Sequence, residues 1–555
     1  MNKTEIITPV RIMAESRTGN AEKLLGNGLT QIILRKNPDT VIKSGGYLIL
    51  DYGKEICGGV KALVGEIVDE KGSLIEVGLR FRFGESVTES CAELGEKNAG
   101  NYHSIRDFTA NVTTHGSMIY GNTGFRFLRI DNISNYDVSF YSLPAVNELF
   151  GGTKFGTFEC SDPLVNKIFD TAVYTLDLCI QNGYLWDGIK RDRCVWIGDM
   201  HPEVLSTLWI HGNIDEVRAS IEFCKLSTPE NEWVNAIPSY SFWWILVFSE
   251  YVKYTGDFAY VRENKGFIEK ILSQADECLD EVGTWDPRKG RTRYFEDNEN
   301  FFDWPTNFTS DSEFGVRALM ILAIGKVKEL YSTDMEVLRA CDSLLDRIYK
   351  KNTFVSKYKQ VTAMRVLAGQ DDGKRALQSL TADGANGMGC FMAYYILSVI
   401  AKLGAPEKAF SMLKEYFGGM LSMGATTFWE DFDVKWINGS ARLDEFPCDG
   451  QKDIHGDFGK FCYQQFRHSL CHGWSTGGIA YLYEYVLGVK FVGIGCKEIH
   501  ISPNLCGLKY AKGTFPTPYG VVSVFHKVDE SGNIVTRYSA PKEIKVIIKD
   551  SREDK

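Results

Sequence analysis

Between positions 186 and 203 the chain holds four carboxylates (Asp187, Asp192, Asp199, Glu203), two arginines (Arg191, Arg193) and two tryptophans (Trp186, Trp196). Such a stretch suits neither a helix nor a core. Carboxylates interleaved with guanidinium groups and indoles suit a sugar: charged groups bond hydroxyls, ring faces stack on C–H surfaces, and a carboxyl can move a proton. A salt-bridge knot joining helices is the competing reading. A second concentration, residues 424–433, contains Trp429 and Glu430, with Trp436 close behind; a third, residues 468–475, contains His472. Between them, residues 438–466 read as an irregular polar loop, and loops of that length in a helical region are usually functional or disordered. Two smaller stretches add wall candidates: Trp244, in the aromatic start of a helix at 239–244, and Asp303 with Trp304 in a turn at 301–307. The His455-x-Asp457 pair is too sparse for a zinc site, so no metal and no cofactor is expected.

The elements that must position these residues fall into three parts. Residues 1–150 alternate apolar and polar in short runs, as in Phe125-Arg126-Phe127-Leu128-Arg129-Ile130, broken by Gly, Asn and Asp, which predicts a β-sandwich. From 151 to 491 the period is 3.6: Ser161-Asp162-Pro163 caps a helix on which Leu164, Ile168, Ala172 and Leu176 repeat along one face. About twelve such helices predict an all-α (α/α)6 toroid as the catalytic domain, with loops converging on a central cavity. Residues 492–555 return to alternation, as in Val521-Val522-Ser523-Val524-Phe525, and predict a small β-domain. The overall expectation is a multidomain chain whose toroid is flanked by β-domains on both sides.

Composition narrows the partners. Sixty-two basic against seventy-two acidic side chains, with no basic block, argue against nucleic acid. No stretch approaches a membrane span or a signal peptide, so the chain reads as cytoplasmic, with no membrane partner and with homo-oligomer formation left open. Fourteen cysteines without a Cys-x-x-Cys pair read as free thiols.

At these motifs the chain resembles the bacterial α-L-rhamnosidases. The resemblance is carried by Gly156-Thr157-Phe158-Glu159-Cys160-Ser161-Asp162-Pro163, by the segment from Asp187 to Asp199, by Gly424-Ala425-Thr426-Thr427-Phe428-Trp429-Glu430, by Cys471-His472-Gly473-Trp474-Ser475 and by Pro516-Thr517-Pro518-Tyr519-Gly520. It implies a carbohydrate substrate and inverting hydrolysis of a terminal α-L-rhamnosyl group, with one carboxyl as acid and another as base. It places Glu430 at the general base and makes Asp187, Arg191 and Asp199 sugar-binding or acid-supporting groups, with Trp196, Trp429 and His472 as walls. One departure stands out. Family members read Arg-Asp-Glu where this chain has Arg191-Asp192-Arg193, and the missing Glu is their general acid. A guanidinium stays protonated far above neutral pH and cannot deliver that proton. The replacement candidates are Asp187, Asp199, Asp192 and Glu203, in that order. Alternatively Arg193 binds an anionic sugar, the same scaffold serves a fucoside or a phosphorolysis, or the chain binds sugar without turnover.

Overall fold

The computed structural model describes residues 2–33, 38–289, 300–307, 309–349 and 355–549. In its first part eight strands are joined into one continuous, mainly antiparallel sheet. Along the sheet run Asn2–Ile7, Ala145–Phe150, Thr40–Val64, Ser117–Asn132, Glu76–Gly84 and Asp107–Thr113, with Arg11–Gly19 and Val138–Ser142 also paired to Thr40–Val64. That central strand is 25 residues long and breaks register with Ser117–Asn132 twice, after Asp51 and after Gly58. Bulges bend a strand, so one sheet curves around its own core of Leu48, Leu50, Phe81, Phe83 and Phe125. Short alternating runs look alike whether they belong to one bent sheet or to two.

Helices follow from Pro163–Cys179 onward. Asp162 caps this first one by accepting from Leu164 N–H at 3.0 Å. Met200–Ile210 is buried along its whole length and packs on Pro238–Thr255, which in turn packs on Ser310–Leu330. Gly256, at φ 73, ends Pro238–Thr255 in the left-handed conformation that glycine adopts freely. Among the described residues no helix is long and apolar enough to cross a membrane. No disulfide joins any of the fourteen cysteines, all of which lie among the described residues.

The expected all-α toroid with β-domains only at its flanks is overturned. The molecule is about 37% helix and 26% strand, with large antiparallel sheets. Strands also sit inside the helical stretch. Ile180–Gln181 and Tyr184–Leu185 form a hairpin directly before the carboxylate-rich segment, and Ser440–Ala441 pairs with Lys452–Asp453 in the long loop. Thr157–Cys160, just before the first long helix, joins the C-terminal strand Tyr510–Thr517. Two- and four-residue strands are too short to show a period of two, so the helical period around them hides them.

The first sheet is fastened to the helical part by buried ions. Arg126 donates Nε and Nη2 to Asp51 at 2.8 and 2.9 Å, and Nη1 to the Gly424 carbonyl at 3.0 Å; Arg11 reaches both Asp51 and Asp444. Gly124 lies where a Cβ would come within 2.9 Å of the Lys190 backbone nitrogen, so the sheet meets the carboxylate-rich segment in van der Waals contact. Arg126→Met strands Asp51 without its main partner and is expected to cost about 3 kcal/mol. Thermal unfolding followed by circular dichroism checks this, and an unchanged midpoint would show the contact to be dispensable.

Candidate active site

Residues 186–199 have almost no regular structure and are held by hydrogen bonds instead. The Asp187 carboxylate accepts from Cys194 N–H at 2.8 Å, its backbone N–H donates to Cys194 O at 3.0 Å, and its carbonyl accepts from Gly473 N–H at 2.8 Å. Residues 428–430 are zipped to 469–472 in the same way, through His472 N–H to Phe428 O at 3.0 Å and Glu430 N–H to Ser469 O at 2.9 Å. Three segments far apart in sequence thereby meet around a cavity of about 270 Å³.

Glu430 is the centre. It is buried, Oε1 accepts from Arg191, and Oε2 accepts from Ser469 N–H at 3.0 Å. Arg191 also donates to Asp192 at 3.0 Å. Across the cavity, Asp199 Oδ1 accepts from the Tyr240 hydroxyl at 2.7 Å. His472 Nε2 stands 4.0 Å from Asp199 Oδ2 and 4.0 Å from Glu430 Oε1. Those two distances bound the separation of the two carboxyl oxygens from above at about 8 Å.

Burial sets the protonation. It pushes Asp199 up to about 8 against the lowering effect of the Tyr240 hydrogen bond, with the Glu430 and Asp192 charges adding to the rise. Burial, then the charges of Asp192 and Asp199, hold Asp187 well above the usual carboxylate range. Burial likewise keeps His472 neutral, well below its ordinary value. Oxygens of Asp187 and Asp199 lie within 4.8 Å of one another and of a His472 nitrogen, the spacing a cation would need.

Eight expected residues line the cavity. Besides Glu430 they are Asp187, Arg191, Asp192 and Asp199, with Trp196, Trp304 and His472 as walls. Five do not. Asp192 and Arg193 both take left-handed backbone, φ 57 and 54, and this turns Arg193 out of the site. Its guanidinium donates to Ile189 O at 2.8 Å and Asn122 Oδ1 at 3.3 Å and lies over the Trp186 ring, so it is not placed to hold a sugar. Trp244 is a core residue, stacked on Phe248 and donating to Ile221 O at 3.0 Å. Trp429 is buried against Phe432, and Trp436 stacks on Phe458 beneath the long loop. Asp303 accepts from Thr306 in its own turn and faces a smaller void behind Glu430; burial pushes it up to about 7. Glu203, the fourth acid candidate, is fully buried off the cavity, with no hydrogen-bond partner for either carboxyl oxygen among the described residues.

Tyr240, Phe301, Trp474, Arg467, Ile237 and Cys462 complete the wall; the first three lie in the stretches 239–244, 301–307 and 468–475 that the sequence marked, without being singled out there. Tyr240 shares the helix with Trp244 but stands one turn nearer its start, and only that first turn reaches the site. Arg467 follows an unremarkable polar run and is brought in by the long loop, its guanidinium lying 4.4 Å from the Tyr102 ring centre.

Behind Glu430 lies an ion cluster contributed largely by the first sheet and the short helix after it. Lys190 Nζ is 2.9 Å from Glu85 and 3.2 Å from Glu89, and also donates to the carbonyls of Phe466 and His468. Glu85 in turn accepts from Leu470 N–H at 2.6 Å. The backbone that offers Ser469 N–H to Glu430 is therefore clamped on both sides. The same lysine occupies the place a cation would take among Glu85, Glu89 and His455, the second trio with metal-like spacing.

No family model matches the chain. Among curated proteins, an α-L-rhamnosidase of Formosa agariphila is 29% identical over 171 residues, 30% of this chain and 17% of that protein. Among solved structures, the GH78 family rhamnosidase of Bacillus sp. GL1 superposes with a TM-score of 0.72 at 19% identity, covering 95% of this chain and 55% of that one. A rhamnosidase from Klebsiella oxytoca with rhamnose bound gives 0.67 at 18% identity, covering 87% and 96%. The chain thus has the fold of the α-L-rhamnosidases and resembles them in sequence. It spans about half the length of the Bacillus protein and less than a fifth of the Formosa one.

The clamp makes a prediction with a definite pH sign. Burial pushes Glu85 up to about 7 even though Lys190 lowers it. Lys190→Met removes that lowering influence, so Glu85 titrates higher still, and a charged Glu85 then faces Glu89 only at alkaline pH. The loss in melting temperature is expected to be larger at about pH 8 than at about pH 6. Thermal melts at the two values measure it; equal losses, or a larger one in acid, would contradict the clamp.

Proposed function

We propose that this chain is a glycosidase that hydrolyses terminal α-L-rhamnosides with inversion, Asp199 serving as general acid and Glu430 as general base. The observation that carries the reading is the pair itself: two carboxyls on one aromatic-walled cavity, on opposite contacts of His472 Nε2 at 4.0 Å each and so no more than about 8 Å apart, a bound compatible with an inverting pair. Asp199, raised to about 8, holds its proton at neutral pH and can pass it to the leaving oxygen. Glu430 accepts from a guanidinium and a backbone N–H, bonds suited to a carboxylate that must take a proton from water. Asp187, also held high by burial, is the alternative acid; one of its oxygens accepts from Cys194 N–H as one of Asp199's does from Tyr240. Trp196, Trp304, Phe301 and Trp474 offer the apolar faces that a 6-deoxy methyl group needs. The likeness to rhamnosidases at both sequence and fold level supports the choice of sugar.

In this reading the loss of the acid in the Arg-Asp-Arg motif is met by a carboxyl already in the site rather than by Arg193. Arg467, on the cavity wall, favours one second reading: hydrolysis of a glycoside carrying an acidic group.

Hydrolysis of a nitrophenyl α-L-rhamnoside followed by proton NMR is expected to show the β-anomer first. Glu430→Gln should lower the rate by about 10²- to 10⁴-fold. Release of the α-anomer first, or full activity in that variant, would remove the assignment, and activity confined to acidic glycosides would select the second reading. The acid has its own test. Because the protonated form of Asp199 is the working one, kcat/KM is expected to fall as pH rises through about 8. Tyr240→Phe removes a hydrogen bond that favours the charged form, so the alkaline limb should move to higher pH; a stationary limb would point to Asp187 instead.

A further inference from the structure

A second cavity, of about 310 Å³, opens at the other end of helix Pro238–Thr255. The first turn of that helix gives Tyr240 to the candidate active site, and its last turns give Glu250, Lys253 and Tyr254 to this space. At 1.5 Å rise per residue, Tyr240 and Lys253 are about 20 Å apart along the axis. The two cavities share no lining residue.

Its chemistry is cationic. Lys253, Lys326, Lys402 and Lys490 converge on it from three helices and a strand, against only Glu250 and Glu484. Both glutamates are already engaged. Glu250 lies 3.6 Å from Lys326, and Glu484 accepts from the Tyr394 hydroxyl at 2.8 Å. Glu250 is the main charge acting on Lys253, and Glu484 the main carboxylate acting on Lys402, so two carboxylates are shared among four lysines. Desolvation pulls Lys402 below the ordinary lysine range against the raising charge of Glu484, with Lys490, Lys253 and Lys326 adding to the fall. The helix dipole favours a lysine in the last turn of each helix, which accounts for Lys253 and Lys402 one at a time. It does not aim them into one enclosed space with two more. Trp209 and Phe491, stacked with ring centres 4.9 Å apart, form an apolar wall beside the ammonium groups.

We propose that this cavity is a binding site for a compact, multiply charged anion of the phosphate class, either free phosphate or the phosphate ester of a small sugar-sized molecule, with Lys253 and Lys402 as its principal contacts. A dianion would balance the excess of two positive charges that four lysines leave over two glutamates, and the aromatic wall would receive the body of an ester. The volume fits a small ligand. The site is independent of the glycosidase reading.

Calorimetric titration of the full chain in phosphate-free buffer tests it, with sodium phosphate and, separately, a hexose 1-phosphate, each against sodium chloride at matched ionic strength. Saturable binding of at least one is expected. Lys253→Met and Lys402→Met are each expected to weaken it about tenfold or more. Neither lysine belongs to the candidate active site; without anion Lys402→Met should melt at or above the wild-type temperature, because a charge that burial disfavours has gone, whereas Lys253→Met, which removes the charge that most favours ionised Glu250, should melt lower. Binding of both probes would assign the site to the phosphate group, and binding of the ester alone to a phosphorylated small molecule. No saturable heat with either probe overturns the proposal. So does wild-type affinity in both variants, the result expected if the anion sits on Arg191 and Arg467 in the first cavity.

Discussion

The Glu430 carboxylate is buried, and a buried carboxylate persists only if fixed partners replace the water it loses. Arg191 supplies one and Ser469 N–H the other. Neither partner is rigid by itself, since Arg191 lies in an irregular segment and Ser469 in a loop. Lys190, the residue before Arg191, ties both to the N-terminal part of the chain by binding Glu85, Glu89 and the carbonyls of Phe466 and His468. The first sheet is in this sense part of the site. Its strands carry no cavity-lining residue, yet the geometry around Glu430 hangs on it.

The same burial gives the other carboxyls a different state. Neither Asp199 nor Asp187 has a guanidinium bonded to it, and burial with neighbouring carboxylate charges raises both, Asp192 and Asp199 acting on Asp187 and Glu430 and Asp192 on Asp199. The arginine is bonded to Glu430 instead. Glu203 shows the limit of this logic. It is equally buried and raised, but packed against Gly473 away from the cavity, where a proton has nowhere to go.

Much of the site could be read from residue types. The density of acids, arginines and tryptophans at 186–203 marked Asp187, Arg191, Asp192, Trp196 and Asp199, and Glu430, Trp304 and His472 followed from their own polar and aromatic contexts. The failures share a cause. Trp244, Trp429 and Trp436 are large aromatics that the interior consumed, and an indole reads the same in a sequence whether it faces a sugar or a phenyl ring. Arg193 failed because two successive left-handed residues reversed its direction, a backbone event with no glycine to announce it. For the architecture, the helical period was legible and the short strands within and beside it were not, which is why an all-α toroid was expected of a molecule rich in antiparallel sheet.

By itself the sequence determined what is local: which segments are helical, where caps such as Asp162 start them, and which loops carry charge too dense for a core. Those properties depend on neighbours within a few residues. Tertiary structure alone decided which carboxyl faces which, that Arg191 rather than Arg193 reaches Glu430, that Tyr240 holds Asp199, and that four lysines from separate elements share one cavity. Proton affinity depends on burial and on charges a few ångströms away, and both are set by segments hundreds of residues apart in the chain.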